Sequence, residues 1–283
     1  MKNLLKKIIV AAATVATVAS TQAGNITVKG SDTLVILAQK WAETYMSKHP
    51  EVKIQVTGGG SGIGFAALQN KTTDIADASR PIKTAERAAC IKAFGKTPLE
   101  YKVALDGLSV YVNESSPINE LDLDQLEKIF TGKVKNWKEI GGPDAPITVY
   151  SRENSSGTYE FFKEHVLKGH DFVSSAQTMP GTAALLQAVS KDKGGIGYGG
   201  AAYGHGAKAL KIKKTADSPA IEATEENVVS GKYPIWRYLY NYLDAAKDKG
   251  EIAAYLNWIR SEEGQKIVKD VGYYPLPANL QEK

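Results

Sequence analysis

The segment 150–159, with the sequence YSRENSSGTY, places a guanidinium and several hydroxyls directly before a predicted helix. Phe162 and Val166 follow at helical spacing and predict a helix over 158–167. Gly157 allows the backbone to approach a ligand closely, and a nearby serine or Thr158 can cap the first turn. Because free N–H groups at a helix start and the planar fork of Arg152 both attract anions, the segment predicts an oxyanion site.

Three further turns share this polar composition, and each follows a predicted strand. They are Gly30-Ser-Asp-Thr33, the glycine-rich run 58–64, and Ser79-Arg80. The carboxyl ends of parallel strands meet at one edge of a sheet, where ligands bind in open α/β folds. One such turn is a weak signal. Four at one edge, two of them with an arginine, predict a shared anion site.

Extended and helical patterns alternate along the chain, which predicts an α/β fold with mostly parallel sheets flanked by helices. The strands are predicted at 26–29, 53–57, 74–78, 147–150 and 195–198, and the helices at 85–94, 123–130, 158–167, 182–190 and 252–268. Two extended runs, 101–113 and 234–240, fit crossings between two lobes. We place lobe 1 at 24–107 plus 236–283 and lobe 2 at 108–235, and expect the ligand between them.

The first 23 residues are typical of a secretory signal peptide. Lys2, Lys6 and Lys7 precede an apolar run, and Thr21-Gln-Ala23 places small residues at a cleavage site. We therefore expect a periplasmic protein without a lipid anchor, since no cysteine stands at that site. Removing residues 1–23 leaves 32 of the 35 basic residues against 31 acidic ones, so the net charge falls to about +1 and does not indicate nucleic-acid binding.

The residues that would indicate a metal or a catalytic centre are few. Cys90 is the one cysteine and fits a buried position on a helix. The four histidines, at 49, 165, 170 and 205, have no spacing typical of a metal site or a catalytic triad. We expect no metal, no cofactor and no catalytic residue.

The polar turns make the chain resemble the PstS family, the exported phosphate-binding components of ABC phosphate importers. The matching segments are 30–34, 58–62, 78–80 and 152–158, of which R-x-x-x-S-G-T is the most specific. The resemblance covers essentially the whole mature chain and implies a two-lobed periplasmic-binding-protein fold of type II with phosphate in the cleft. With our candidates from the same turns and the first crossing, the expected site residues are Ser31, Thr33, the Leu34 N–H, Ser61, Ser79, Arg80, Asp106, Arg152, Ser156, Gly157 and Thr158.

The sequence departs from the resemblance at one position. Better-known members have Ala-Ser-Asp where this chain has Ala-Ser-Arg at 78–80, so that carboxylate is missing. Phosphate near neutral pH keeps a proton that sulfate lacks, and a carboxylate acceptor would favour phosphate. Asp106 is our candidate, with a hinge or turn role as the alternative. Asp32 is the second candidate, with a helix N-cap as its alternative.

Three other functions are weighed against phosphate binding. A dinucleotide fold would use the GxGxxA match at 62–67, but no acidic residue follows a strand at the required spacing. A phosphate-ester hydrolase would need a base beside its nucleophile, and Ser61 is not in a G-x-S-x-G motif. A binding protein for sulfate or molybdate on the same fold stays open.

The expected mechanism is closure of the two lobes around the anion, followed by docking on a membrane permease. The expected partners are therefore inorganic phosphate and the subunits of an ABC permease, with no nucleic acid. We expect the protein to be a monomer.

Overall fold

The computed structural model describes residues 24–204 and 206–281, so the predicted signal peptide and His205 lie outside the described residues. Within these ranges, no helix combines the length and apolar character that crossing a membrane requires.

The described residues form twelve strands and nine α-helices. In chain order the strands are β1 Asn25–Gly30, β2 Lys53–Thr57, β3 Ile75–Ala78, β4 Leu99–Gly107, β5 Ser109–Val112, β6 Glu120–Asp122, β7 Thr148–Arg152, β8 Gln177–Met179, β9 Gly195–Gly199, β10 Lys208–Ala209, β11 Lys211–Lys213 and β12 Trp236–Leu243. The helices are α1 Val35–Lys48, α2 Ser61–Gln69, α3 Thr84–Phe94, α4 Leu123–Phe130, α5 Gly157–His165, α6 Thr182–Lys191, α7 Glu225–Val229, α8 Gly250–Arg260 and α9 Glu262–Val271.

Two five-stranded sheets organise these elements. The first has the order β2-β1-β3-β12-β4, and the second has the order β10-β5-β9-β7-β8. In each sheet one strand runs against the other four, β12 in the first and β5 in the second. The prediction of an α/β fold with two mostly parallel sheets is confirmed.

Strands β4, β5 and β12 carry the chain between the two sheets. The extended run 101–113 is two strands, because β4 ends at Gly107 in the first sheet and β5 begins at Ser109 in the second. The chain returns through β12, which pairs with β4 so that Arg237 lies opposite Asp106. The lobe limits stay a prediction. The last residues cross between cores, since Tyr274 pairs with Leu105 and Leu276 is buried in the second core.

Each sheet has its own buried core, and these cores fix the helix starts that face the cleft. In the first, Trp41 of α1 packs with Val28 and Tyr255. In the second, Phe162 of α5 stacks on Tyr198 with ring centroids 4.2 Å apart. Burying one such side chain contributes about 1.5–3 kcal/mol, so these contacts hold α1 and α5 in place.

One predicted helix is wrong and one predicted residue environment is confirmed. The helix predicted at 252–268 is two helices, because Ser261 is extended and caps α9 by accepting a hydrogen bond from Gly264 N. Cys90 is buried on α3 as predicted, and burial raises the pKa of its thiol to about 11.

A buried carboxyl lies in the first sheet directly before the Ser79-Arg80 turn. Asp77 of β3 accepts a hydrogen bond from Nδ2 of Asn241, its partner in register on β12. Burial raises the pKa of Asp77 to about 7, although the Asn241 hydrogen bond lowers it. Asn241 Oδ1 has no partner in the described part of the chain. If the second carboxyl oxygen of Asp77 carries a proton, it can donate a hydrogen bond to Asn241 Oδ1.

We predict that stability falls as pH rises from about 4 to about 7 because of Asp77. In this range the unfolded carboxyl is ionised while the folded one keeps its proton, so unfolding releases a proton and gains from rising pH. Asp77→Asn, which mimics the neutral acid, should remove this part of the pH dependence. The measurement is urea unfolding of both proteins across this range. Parallel stability curves for the two proteins would contradict the prediction.

Candidate functional site

Four hydroxyls from four separate turns meet between the two sheets. Oγ1 of Thr33 and Oγ1 of Thr158 are 2.7 Å apart, and Ser79 Oγ lies 3.5 Å from Thr158 and 3.4 Å from Ser61 Oγ. All four side chains are at most 1% exposed. We call Thr33, Ser61, Ser79 and Thr158 the hydroxyl cluster. Turns 18 to 125 residues apart in sequence thus converge as predicted.

The strands and helices of both lobes place these hydroxyls. Thr33 follows β1, Ser79 follows β3, and Ser61 and Thr158 lie at the starts of α2 and α5. Ser79 N donates to Ser61 Oγ at 3.0 Å, which locks two of the turns together. Two other predicted residues of the first lobe are engaged through their backbone, because Leu34 N donates to Ser31 O and Ser31 N donates to Asp77 O of β3.

Gly157 is required for this close approach. A Cβ at position 157 would lie 2.2 Å from Ser61 Oγ and 2.8 Å from Ser79 Oγ, well inside van der Waals contact. Ser156 caps α5, since its Oγ accepts from Tyr159 N at 3.2 Å, as the sequence predicted for a residue of this turn. The start of α5 therefore contacts the other lobe directly.

Arg152 is buried beside the cluster, and its whole fork is engaged. Nη1 donates to Thr182 Oγ1 at 2.8 Å, Nη2 donates to Asp32 Oδ2 at 2.7 Å, and Nε and Nη2 each contact Glu153 at 3.0 Å. Burial raises the pKa of Glu153, but its hydrogen bond and charge interaction with Arg152 outweigh this and lower it overall. Two carboxylates thus neutralise the guanidinium, and the predicted contact of Arg152 with the ligand stays a prediction.

Asp32 links the lobes and is not a helix N-cap. Its Oδ1 accepts from Gly59 N at 2.8 Å, and its Oδ2 accepts from Arg152 across the cleft. The N-cap of α1 is Leu34, without a side-chain cap, so the alternative given for Asp32 is wrong. Tyr203 donates to the Asp32 backbone oxygen at 2.6 Å, and burial raises the pKa of Tyr203, so it keeps its proton.

Arg80 contacts its own lobe rather than the hydroxyl cluster. Its Nη1 and Nη2 donate to the two oxygens of Glu86 at 2.8 and 2.7 Å, and its guanidinium lies 5.1 Å from the Phe65 ring centroid. Only Nε is without a partner in the described ranges. Glu86 therefore occupies both terminal nitrogens of Arg80, and the predicted contact of Arg80 with the ligand stays a prediction.

Asp106 is fully buried and already holds three donors. Its Oδ2 accepts from Arg237 Nε at 3.0 Å and from Arg237 Nη2 at 2.8 Å, and its Oδ1 accepts from Ala201 N at 3.0 Å. These contacts favour the hinge role that the sequence left open. Arg237 also donates to Thr158 Oγ1 at 3.0 Å and was missed by the sequence analysis. Its signal was a single charge within an aromatic strand.

The described residues offer no cluster of histidine, cysteine and acidic side chains able to hold a metal ion. The Ser61 hydroxyl contacts Ser79 rather than a base. Chemically, the site is a closed set of hydroxyl and amide donors that can surround a small oxyanion.

Comparisons with known proteins agree on one family. A model described as the PBP superfamily domain matches residues 15–263. The chain is 34% identical to the phosphate-binding protein PstS of Pseudomonas aeruginosa, over 94% of this chain and 87% of the relative. It is 33% identical to the PstS of Bacillus subtilis, over 89% and 81%.

Two solved structures are similar over nearly the whole chain. A Clostridium perfringens structure, described as a phosphate ABC transporter substrate-binding protein with bound phosphate, has a TM-score of 0.82 and 30% identity, and the match covers 90% of this chain and all of that one. An ABC-type phosphate transport receptor from Vibrio cholerae has a TM-score of 0.69 and 27% identity, with coverage of 89% and 100%.

We predict that Gly157→Ala prevents the lobes from meeting as closely as they do here. The added Cβ would overlap Ser61 Oγ, so the variant should remain folded but show a larger radius of gyration in small-angle scattering. Gly62→Ala is a milder variant at the same contact and should enlarge the radius less, because its Cβ would come no nearer than 3.3 Å to Ser155 O. Equal radii for the two variants would contradict the prediction.

Proposed function

The chain belongs to the PstS family, and from this premise we propose that it captures inorganic phosphate between its lobes and delivers it to the permease of an ABC transporter. The observation that carries the proposal is the hydroxyl cluster, in which donors from both lobes converge away from water. We propose that the rest of the binding site is formed by residues that lie beside Thr33 and Thr158 in sequence, namely Ser31, the turn at Leu34, Ser156 and Gly157.

A tetrahedral oxyanion suits this cluster because each of its oxygens accepts several hydrogen bonds. A hydrogen bond to a charged group contributes about 1.5–3 kcal/mol, which offsets the cost of removing water from the anion. Hydroxyls now bonded to each other would turn to the ligand when it enters. Donors on both sides of the cleft then favour the closed form.

The burial of the cluster favours free phosphate over a phosphate ester. Ser61 and Ser79 are 0% exposed, so the closed site offers no passage for an organic group attached to the anion. Hydrolysis also lacks support, because the Ser61 hydroxyl contacts Ser79 and no described histidine or carboxylate contacts it. We therefore propose a binding protein rather than an ester hydrolase.

Asp32 is our proposal for the group that accepts the phosphate proton. It precedes Thr33 of the cluster, and each of its oxygens holds one donor, which leaves a lone pair on each. Asp106 is committed to Arg237 and Ala201 and is better explained as a hinge residue. An acceptor here would favour phosphate, which carries a proton, over sulfate.

Ion pairs between the lobes support a closing motion about the β4 and β12 crossings. Arg152 meets Asp32 at 2.7 Å, and Lys83 of the first lobe meets Glu160 of the second at 2.6 Å. We propose that phosphate stabilises this closed form of an exported, periplasmic monomer, which then docks on the permease. The lobe limits at 107 and 236 would serve as the hinge.

We predict that the chain without residues 1–23 binds phosphate in titration calorimetry and binds sulfate and molybdate far more weakly. Arg152→Lys should weaken phosphate binding about tenfold or more, because a lysine cannot keep the three contacts of the fork. Arg87→Lys, at a partly buried position on α3, should bind as the wild type does. Absence of phosphate binding, or sulfate binding of equal strength, would refute the proposed function.

We predict that Asp32→Asn weakens phosphate binding far more than it weakens sulfate binding. An amide has one acceptor oxygen where the carboxylate has two, so it is a poorer acceptor for the phosphate proton. Asp106→Asn should affect the two anions alike, since it acts through the hinge. Calorimetry at several pH values measures both ratios. If the effects are exchanged between the two variants, Asp106 is the acceptor after all.

A further inference from the structure

We propose that Arg237 sets the direction of the Thr158 hydroxyl, so that its proton points away from the guanidinium and toward the bound anion. Arg237 is then a positioning residue of the site, outside the motifs that carry the family resemblance. The inference rests on the proposed phosphate binding.

The geometry ties Arg237 to the site on one side and to the hinge on the other. Its Nη2 donates to Thr158 Oγ1 at 3.0 Å and to Asp106 Oδ2 at 2.8 Å, while Nε donates to the same Asp106 oxygen. The side chain is 2% exposed, and its guanidinium carbon lies 5.2 Å from the Phe161 ring centroid. Asp106, the ring and the β-sheet register together fix its position.

The contact with Arg237 limits how the Thr158 hydroxyl can form further hydrogen bonds. A hydroxyl has one proton to donate and two lone pairs to accept. Arg237 can only donate, so it uses a lone pair of Thr158 and leaves the proton free for another acceptor. In the structure that acceptor is within reach at Thr33 Oγ1, 2.7 Å away. A phosphate oxygen without a proton would replace it.

A purely structural role explains the contact less well. Two hydrogen bonds already join Arg237 to Asp106, and Ala201 N holds the other carboxylate oxygen. The contact to Thr158 is not needed to neutralise either partner. It does link the first sheet, through β12, to the start of α5 in the second lobe, so the hydroxyl takes its direction only when the lobes are together.

The inference separates two tasks within the site. With its proton directed at the anion, Thr158 donates to an ionised oxygen and does not distinguish phosphate from sulfate. The protonated oxygen of phosphate then faces the proposed acceptor, Asp32. Loss of Arg237 should therefore weaken both anions by the same factor, whereas loss of the Asp32 charge should change the ratio between them.

The test is a double-mutant cycle on phosphate binding, measured by calorimetry on wild type, Arg237→Gln, Thr158→Val and the double variant. Arg237→Gln should weaken binding about tenfold and Thr158→Val at least as much. The double variant should bind no more than about threefold more weakly than Thr158→Val alone, because both changes remove the same directed donor. Arg87→Gln is the control for loss of an arginine remote from the cluster.

If Arg237→Gln does not fold, because Asp106 is left buried without its partner, the cycle is run with Arg237→Gln/Asp106→Asn in its place. Losses that multiply in the double variant, or wild-type affinity in Arg237→Gln, would overturn the inference while leaving phosphate binding intact. A wild type that binds no phosphate would overturn the proposed function and the inference with it.

Discussion

The hydrogen bond between Thr33 and Thr158 joins the two lobes at a point that water does not reach. A buried hydroxyl without a partner costs about 1–3 kcal/mol, so these groups must satisfy one another or a ligand. This constraint explains the glycine at 157, the serine cap beside it and the tight turn after β3. Each permits the turns to approach until their hydroxyls are within hydrogen-bond distance. An entering anion must replace the hydrogen bonds that the hydroxyls now make to one another, so binding depends on the shape and protonation state of the anion.

The arginines at the cleft are neutralised by carboxylates of the protein before any ligand arrives. Arg152 pairs with Asp32 and Glu153, Arg237 pairs with Asp106, and Arg80 pairs with Glu86. These three arginines pair with four carboxylates, so the site has no excess positive charge that would attract anions from a distance. Binding then depends on directed hydrogen bonds, which distinguish anions by where their protons lie. Long-range attraction would favour any anion of sufficient charge and would weaken with salt.

The sequence predicted the fold and the turns better than it predicted the partners of the charged groups. Strand ends and helix starts follow from local patterns, so Thr33, Ser61, Ser79 and Thr158 could be assigned to the strand ends that face the cleft. The partners of the charged groups depend on distant contacts: Asp32 meets Arg152 across 120 residues, and Arg237 meets Thr158 across 79. Arg80 was assigned to the ligand because nothing in a turn motif shows that Glu86, six residues later, will take its fork. The break at Ser261 was visible, since a serine followed by two glutamates is typical of a helix start.

The position of β12 sets the order in which the molecule can be completed. This strand, Trp236–Leu243, lies between β3 and β4 in the first sheet, although it comes after every strand of the second. The amino-terminal half of the chain therefore cannot close its own sheet. The facing edges of β3 and β4 stay unpaired until the segments that form the second sheet and β12 itself have been synthesised. A chain that emerges from its amino terminus therefore leaves this sheet incomplete until late in its synthesis.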